Sequence, residues 1–234
     1  MKDTNYNILS MLEDGVSINV IGDSIAAGVG ASDSLKTSEI IIQTTRKTYF
    51  RRESKKSWSG LFKDYLITKF PQCGIVNNGC GGIRSSEVRE KLDELINEED
   101  KLVIILLGAN DRKVENGMKI LKENLIYIIR YLKKKDKKII IMSPPPSTAK
   151  NEAYPNRLYH MNDVNAVIKE VAEQEDIKFI NYYEYINKYI VDTGESIEEL
   201  MNEKDCMSDG LHPTDKVYFL MFRHLLKNLN LIVK

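Results

Sequence analysis

The sequence predicts an α/β protein with a central, mainly parallel five-stranded sheet, on three observations. Short β-branched runs bounded by turn residues alternate with segments of helical period, the order that builds βαβ units. Two of those runs, residues 102–107 and 139–142, are apolar without alternation, so both faces of each strand must be covered and both belong near the centre. Hydrophobic residues make up 42% of the 234, enough to bury one sizeable core. A single domain over residues 1–234 is the simplest organisation.

The elements follow in order. Residues 17–21 form the first strand, and the turn after it, Gly22-Asp23-Ser24, opens toward a helix. Residues 33–57 interrupt the alternation: they are polar and basic around two β-prone stretches, 40–44 and 47–51, and read as a hairpin inserted near the Ser24 turn. A helix is expected over 58–70, a strand over 74–77, a helix over 85–96 and a strand over 101–107. Met118, Leu121, Leu125, Ile128, Ile129 and Leu132 then recur at three- and four-residue steps, an amphipathic helix that ends in the solvated run of lysines from Lys133. Strands at 138–142 and 177–180 flank a loop stiffened by Pro144-Pro145-Pro146 and a helix over 158–174; a last helix covers 213–229.

Composition narrows the function classes. Lys plus Arg and Asp plus Glu balance at 34 each, so the chain carries no global charge of the kind that nucleic-acid or anionic-membrane binding requires. The apolar positions of residues 1–15 are too few and dispersed for a signal peptide, and no segment is long enough to span a bilayer. Three cysteines, Cys73, Cys80 and Cys206, form no disulfide framework and fit a reducing compartment. A cytoplasmic protein with neither nucleic-acid nor membrane partner is expected, and the sequence leaves room for a homo-oligomer.

In an open α/β sheet, ligands bind beyond the carboxyl ends of the strands. Ser24, Gly82 and Asn110 each follow an expected strand within a few residues, so all three converge on that edge. A nucleophilic serine needs a base, and the histidines are His160, His212 and His224. The first falls inside an expected helix and the last sits at helical spacing behind Phe219 and Leu220. His212 alone lies in a turn-rich loop, with Asp209 three residues earlier to orient one ring nitrogen while the other faces the serine. Donors for an oxyanion are available from the Gly82 and Ser24 amides and the Asn110 side chain. Each motif also has a plain structural reading: Asp23 and Ser24 as helix caps, the glycines as a tight turn, Asn110 as a cap and Asp209 as a turn former. No pair of candidate ligands has zinc-site spacing and no dinucleotide or phosphate-loop fingerprint is in register, so neither metal nor cofactor is expected.

The four segments resemble the four blocks of the SGNH (GDSL-type) hydrolase family. Val20-Ile-Gly-Asp-Ser-Ile-Ala-Ala-Gly28 is similar to the first, Ile75-Val-Asn-Asn-Gly-Cys-Gly-Gly82 to the second, Leu107-Gly-Ala-Asn-Asp111 to the third and Asp209-Gly-Leu-His-Pro213 to the last. The resemblance implies a flavodoxin-like three-layer α/β/α sandwich and cofactor-free acyl-ester hydrolysis. It implies Ser24 as nucleophile, Asp209 and His212 as its partners, and Ser24, Gly82 and Asn110 as oxyanion donors, Gly82 ahead of Gly79 or Gly81. The chain departs from the pattern at Ile83-Arg84, where a small polar pair is common, and in the length of the 33–57 insertion.

Such families hold sugar O-acetylesterases, lysophospholipases and thioesterases. The segments expected to rim the site contain Arg51, Arg52, Tyr154 and Arg157 with few aliphatic residues. They favour a small-molecule or carbohydrate ester with a short acyl group, acetyl first among them, over a long acyl chain. The competing readings are a lipid acyl hydrolase or acyltransferase and a catalytically idle binding protein on the same fold.

Overall fold

The computed structural model describes residues 7–232. Residues 1–6 of the N-terminal segment and residues 233–234 of the expected domain lie outside it. Five strands form one parallel sheet: β1 (Ser17–Gly22), β4 (Gly74–Gly79), β5 (Leu102–Leu106), β6 (Lys138–Met142) and β7 (Lys178–Ile180), in the spatial order β4-β1-β5-β6-β7. Counted along the chain, that order is 2-1-3-4-5, the flavodoxin-like doubly wound arrangement. Its direction reverses between β1 and β5, and a crevice opens beyond their carboxyl ends.

Burial explains the order. All five residues of β5 are buried, as are the last four of β6, so these unbroken aliphatic runs need helices on both faces. Helices α3 (Ser85–Glu90), α5 (Gly117–Lys134) and α7 (Met161–Gln174) pack together, and α2 (Trp58–Lys69), α8 (Tyr182–Thr193) and α10 (Asp215–Asn228) pack as a second group. In α5 the buried Leu121, Leu125, Ile128 and Leu132 form one stripe at steps of four, three and four, and Val164, Ile168 and Val171 do the same in α7.

The elements depart from the expected ones in several places, and short helices at Ile8–Asp14, Ala149–Glu152 and Ile197–Leu200 have no expected counterpart. The predicted 85–96 helix breaks at Lys91, whose φ of −107° and ψ of 19° leave the helix and separate α3 from α4 (Leu92–Leu95). The helix expected from residue 158 begins at Met161, with His160 as its cap rather than inside it. Helix α8 has no counterpart in the sequence reading, because its four tyrosines and its isoleucines are equally at home in a strand. The helix expected behind Ser24 is absent: residues 23–30 form successive turns, with Ala27 N on Asp23 O and Val29 N on Ser24 O. Gly28 (φ +77°) and Gly30 (φ +111°) take the chain out of helical conformation there.

The expected hairpin is present as β2 (Leu35–Gln43) and β3 (Thr48–Glu53), an antiparallel pair with irregular register around Ile40. No helix of the described residues is long and apolar enough to cross a membrane.

Candidate active site

Because residues 23–30 are not helical, their carbonyls need donors from elsewhere. Two buried aromatic side chains supply them: Trp58 Nε1 donates to Ile25 O at 3.3 Å, and Tyr218 Oη donates to Val29 O at 2.7 Å and Ile25 O at 3.3 Å. The turn is held from the other side by Asp23. Its fully buried carboxylate accepts from Ile25 N at 3.0 Å and Ala109 N at 3.1 Å, which ties the segment after β1 to the segment after β5. Burial raises the Asp23 pKa, and those two amides oppose the rise.

Ser24 stands at the top of this turn, 6% exposed. Its Oγ lies 2.9 Å from His212 Nε2, and His212 Nδ1 lies 2.7 Å from Asp209 Oδ2. The second Asp209 oxygen accepts the Leu211 and His212 amides, each at 2.9 Å. Burial pushes the Asp209 pKa up, but the ring and amide bonds from His212 and the amide of Leu211 outweigh it and hold the carboxyl at about 2. An ionised Asp209 accepts the hydrogen bond of the Nδ1–H, which leaves the Nε2 lone pair facing the serine hydroxyl.

The His212 loop reaches Ser24 through close backbone contacts. At Gly30 a Cβ would lie 2.8 Å from His212 Cβ and 2.5 Å from Pro213 O, so only glycine lets the two segments meet. Met207 N donates to Gly30 O at 3.1 Å, and Thr148 N donates to Gly210 O at 2.9 Å. Asn151 Nδ2 adds a bond to Asp209 O at 3.1 Å.

Gly82 and Asn110 lie on the segments that follow β4 and β5. Gly82 has φ +85°, and a Cβ there would meet only Lys47 Nζ at 3.2 Å, so the glycine serves the backbone turn rather than a tight packing contact. Asn110 is buried and stands at the N-cap of a short 3-10 turn, Asp111–Lys113, without a side-chain capping bond to it. Its Nδ2 donates to Ile83 O at 3.0 Å and its Oδ1 accepts from Lys113 Nζ at 2.9 Å. That fixes the amide orientation and leaves one N–H hydrogen to give. The Ser24 and Gly82 amides likewise have no acceptor among the described residues. Ser24, Gly82 and Asn110 thus follow the carboxyl ends of β1, β4 and β5, each with an N–H to give, and Ser24 is bonded to an oriented histidine, an arrangement suited to attack on a carbonyl whose oxygen becomes negative.

The expected rim residues are placed differently from one another. Arg51 Nε is paired with Glu39 at 2.8 Å and its Nη1 donates to Asn77 O at 2.6 Å. Arg52 donates to Ser34. Both line a cleft beside β4 whose walls include none of Ser24, Gly82, Asn110 and His212. Tyr154 and Arg157 lie on the segment next to the His212 loop, the guanidinium 5.7 Å from the ring centroid. It is instead the hairpin's turn that meets the site: Arg46 Nη2 donates to Gly82 O at 2.7 Å and Lys47 Nζ to Gly81 O at 2.6 Å.

Several contributors carry no motif of their own. Asp111 accepts from Ser85 N and Oγ, the latter at 2.6 Å, and burial raises its pKa to about 6. Arg112, with 0% exposure, pairs with Glu152 at 2.8 Å and donates to Asn151, so it supports the Asp209 loop through one intermediate. Glu152 also receives Ser147 and lies 2.9 Å from His160 Nδ1. A charged residue directly after Asn110-Asp111 and a carboxylate in the proline-rich loop were the available signals.

Comparison with known proteins agrees with the geometry. Residues 20–219 match the model of the GDSL-like lipase/acylhydrolase family. An arylesterase of Vibrio mimicus is 22% identical over 198 residues, covering 83% of this chain and 78% of that protein. An acetylxylan esterase of Geobacillus stearothermophilus has the same fold, with a TM-score of 0.65 and 20% identity over 93% of this chain and 96% of that one. So does a lipase/acylhydrolase of Enterococcus faecalis, with a TM-score of 0.65 and 19% identity over 92% and 95%. With the family model spanning the first strand's end through the last helix, the chain belongs to the GDSL-like lipase/acylhydrolase family and is a carboxylic ester hydrolase.

Proposed function

We propose that the protein hydrolyses short acyl esters, acetyl esters first among them, of a carbohydrate or similar polar compound through an acyl-enzyme on Ser24. The observation that carries this reading is the continuous relay from Asp209 Oδ2 to His212 Nδ1 at 2.7 Å and from His212 Nε2 to Ser24 Oγ at 2.9 Å. Ser24 Oγ attacks the carbonyl carbon as its proton passes to Nε2, and Asp209 stabilises the imidazolium that results. The carbonyl electron pair moves onto oxygen, where the Ser24 and Gly82 amides and the Asn110 side chain receive it. The bond to the alcohol oxygen then breaks, and that oxygen takes the proton from Nε2. Water repeats the sequence: its proton goes to Nε2, its oxygen joins the acyl carbon, and Ser24 leaves protonated.

Two features support the short, polar side of the reading. The cleft bordering Gly82 and Asn110 is lined by Arg46, Lys47, Arg84 and Lys113, with no aliphatic side chain to shelter a long acyl tail. One of the structures sharing the fold is an acetylxylan esterase. The test is a series of 4-nitrophenyl esters of increasing chain length beside acetylated sugars, together with a fluorophosphonate probe. Turnover should be greatest for acetyl and fall with chain length, and labelling should vanish in Ser24→Ala. Undiminished labelling of that variant would remove Ser24 from the role.

A further inference from the structure

The wall beside the oxyanion donors is an unusual concentration of positive charge in a chain whose acidic and basic residues balance at 34 each. A cleft of about 340 Å³ is lined by Arg46, Lys47, Gly82, Arg84, Asn110 and Lys113: four cations, no acid, and two residues of the candidate site itself.

These cations are held in place, although Arg46 and Lys47 are exposed. Lys113 Nζ is bound to Asn110 Oδ1 at 2.9 Å, Lys47 Nζ to Gly81 O at 2.6 Å, and Arg46 Nη2 to Gly82 O at 2.7 Å. Three of the four are therefore positioned by the Gly81 and Gly82 carbonyls and the Asn110 amide. Only Arg46 has a carboxylate partner, Glu87 at 3.0 Å, and that carboxylate is shared with Tyr49, Thr44 and the Arg84 amide. Among the described residues Lys47, Arg84 and Lys113 form no salt bridge. Burial, then the charges of Arg157 and Arg112, lower the Lys113 pKa to about 8; burial and Arg46 lower that of Lys47. Like charges held close raise the energy of the wall, most of all at the partly buried Lys113, and an anion between them relieves it.

We propose that this cleft binds an anionic group of the ester substrate, a carboxylate or phosphate carried within a few ångströms of the scissile carbonyl. The proposal rests on the reading of Ser24 as nucleophile, since it places the anion relative to Gly82 and Asn110. Lys47 and Arg84 are the specificity residues, because neither has a carboxylate to give up and neither is bonded to Asn110. Lys113 both contributes charge and orients the Asn110 amide. The chemistry is the same whether the anion belongs to the acid or to the alcohol part of the ester.

Two matched pairs of esters distinguish these sources: 4-acetoxybenzoate against its methyl ester, and 4-nitrophenyl hemisuccinate against 4-nitrophenyl butyrate. In one pair or the other kcat/KM should favour the anionic member by at least about tenfold, the factor one charge-assisted hydrogen bond supplies. The first pair responding places the anion on the alcohol, the second on the acyl group. The preference should collapse in Lys47→Gln and Arg84→Gln and shrink with added salt. In the wild-type protein, succinate or inorganic phosphate should inhibit hydrolysis of 4-nitrophenyl acetate competitively, which decides the matter should a variant fail to fold. Ratios near one in both pairs without inhibition overturn the proposal, as does a preference that survives both substitutions. Failure to hydrolyse even the neutral esters overturns the esterase reading instead, and calorimetric binding of phosphate or succinate to Ser24→Ala then tests the cleft by itself.

Discussion

At the scale of single residues, the site shows how far a polar side chain's behaviour depends on the two or three groups it touches. Asn110 is held at both ends of its amide, by Ile83 O and Lys113 Nζ, so its remaining N–H is oriented before any substrate arrives. Asn110→Ala should lower kcat by the equivalent of about 2.7–4 kcal/mol, with a loss of stability no larger than the about 1–3 kcal/mol that the unmet Ile83 carbonyl costs; unchanged kcat in the folded variant would exclude it from transition-state stabilisation. Asp111, its neighbour, gives a pH signature. Its folded pKa of about 6 lies above the ordinary 3.8. Its contribution to stability is thus fully present below about pH 3.8 and is lost as pH rises through about 6. Relative to Asp111→Asn, wild type should lose roughly 2 kcal/mol between pH 4 and pH 7. Denaturation curves at several pH values measure this, and a difference that does not change with pH contradicts it. Asp209 runs the other way: with its pKa held at about 2, its support is present above about 3.8 and fades only as pH falls through 2.

At the scale of elements, the β2–β3 hairpin is fastened to the sheet edge by Glu87 of α3. That buried carboxylate accepts from Tyr49 Oη and Thr44 Oγ1, each at 2.8 Å, pairs with Arg46 and accepts the Arg84 amide at 3.1 Å. It thereby fixes the turn that bears Arg46 and Lys47 against Gly81 and Gly82. Glu87→Ala would leave buried donors unmet, a cost of about 1–3 kcal/mol for each group orphaned. Hydrogen exchange should accelerate first in the hairpin amides, ahead of β1 and β5. Uniform exchange across hairpin and sheet would mean that Glu87 does not anchor the insertion.

At the scale of the whole molecule, the candidate site is a product of topology. Ser24 and His212 stand 188 residues apart in sequence and meet because β1 and the segment before α10 end at the same sheet edge. Arg112 is the buried link between the segment after β5 and the loop of Asp209: it binds Ala109 O, Ser147, Asn151 and Glu152, and Asn151 in turn holds Asp209 O. Arg112→Met removes the charge and leaves Glu152 with Ser147, the Met161 amide and His160 alone, at a cost of roughly 1–3 kcal/mol for the partners left unmet. Activity should fall as well, because the Asp209 loop loses its support. Unfolding midpoint and kcat together test this, and a variant as stable and active as wild type would refute the link.

The sequence by itself determined the alternation of strands and helices, the central place of the two unbroken aliphatic runs, the inserted hairpin and the four segments of the site. These are local signals: apolar periodicity, turn glycines and short motifs in fixed order. It did not determine the path behind Ser24, where Gly28 and Gly30 break the helix and Trp58 and Tyr218 complete the hydrogen bonding from distant parts of the chain. Nor did it choose among basic residues. Arg51 and Arg52 are consumed by Glu39, Asn77 and Ser34, whereas Arg46 and Lys47, a few positions earlier in the same hairpin, reach the glycine turn. Along a strand pair, direction alternates from residue to residue and reach depends on register. Which cations border the site is therefore settled only when the hairpin docks on the edge of the sheet.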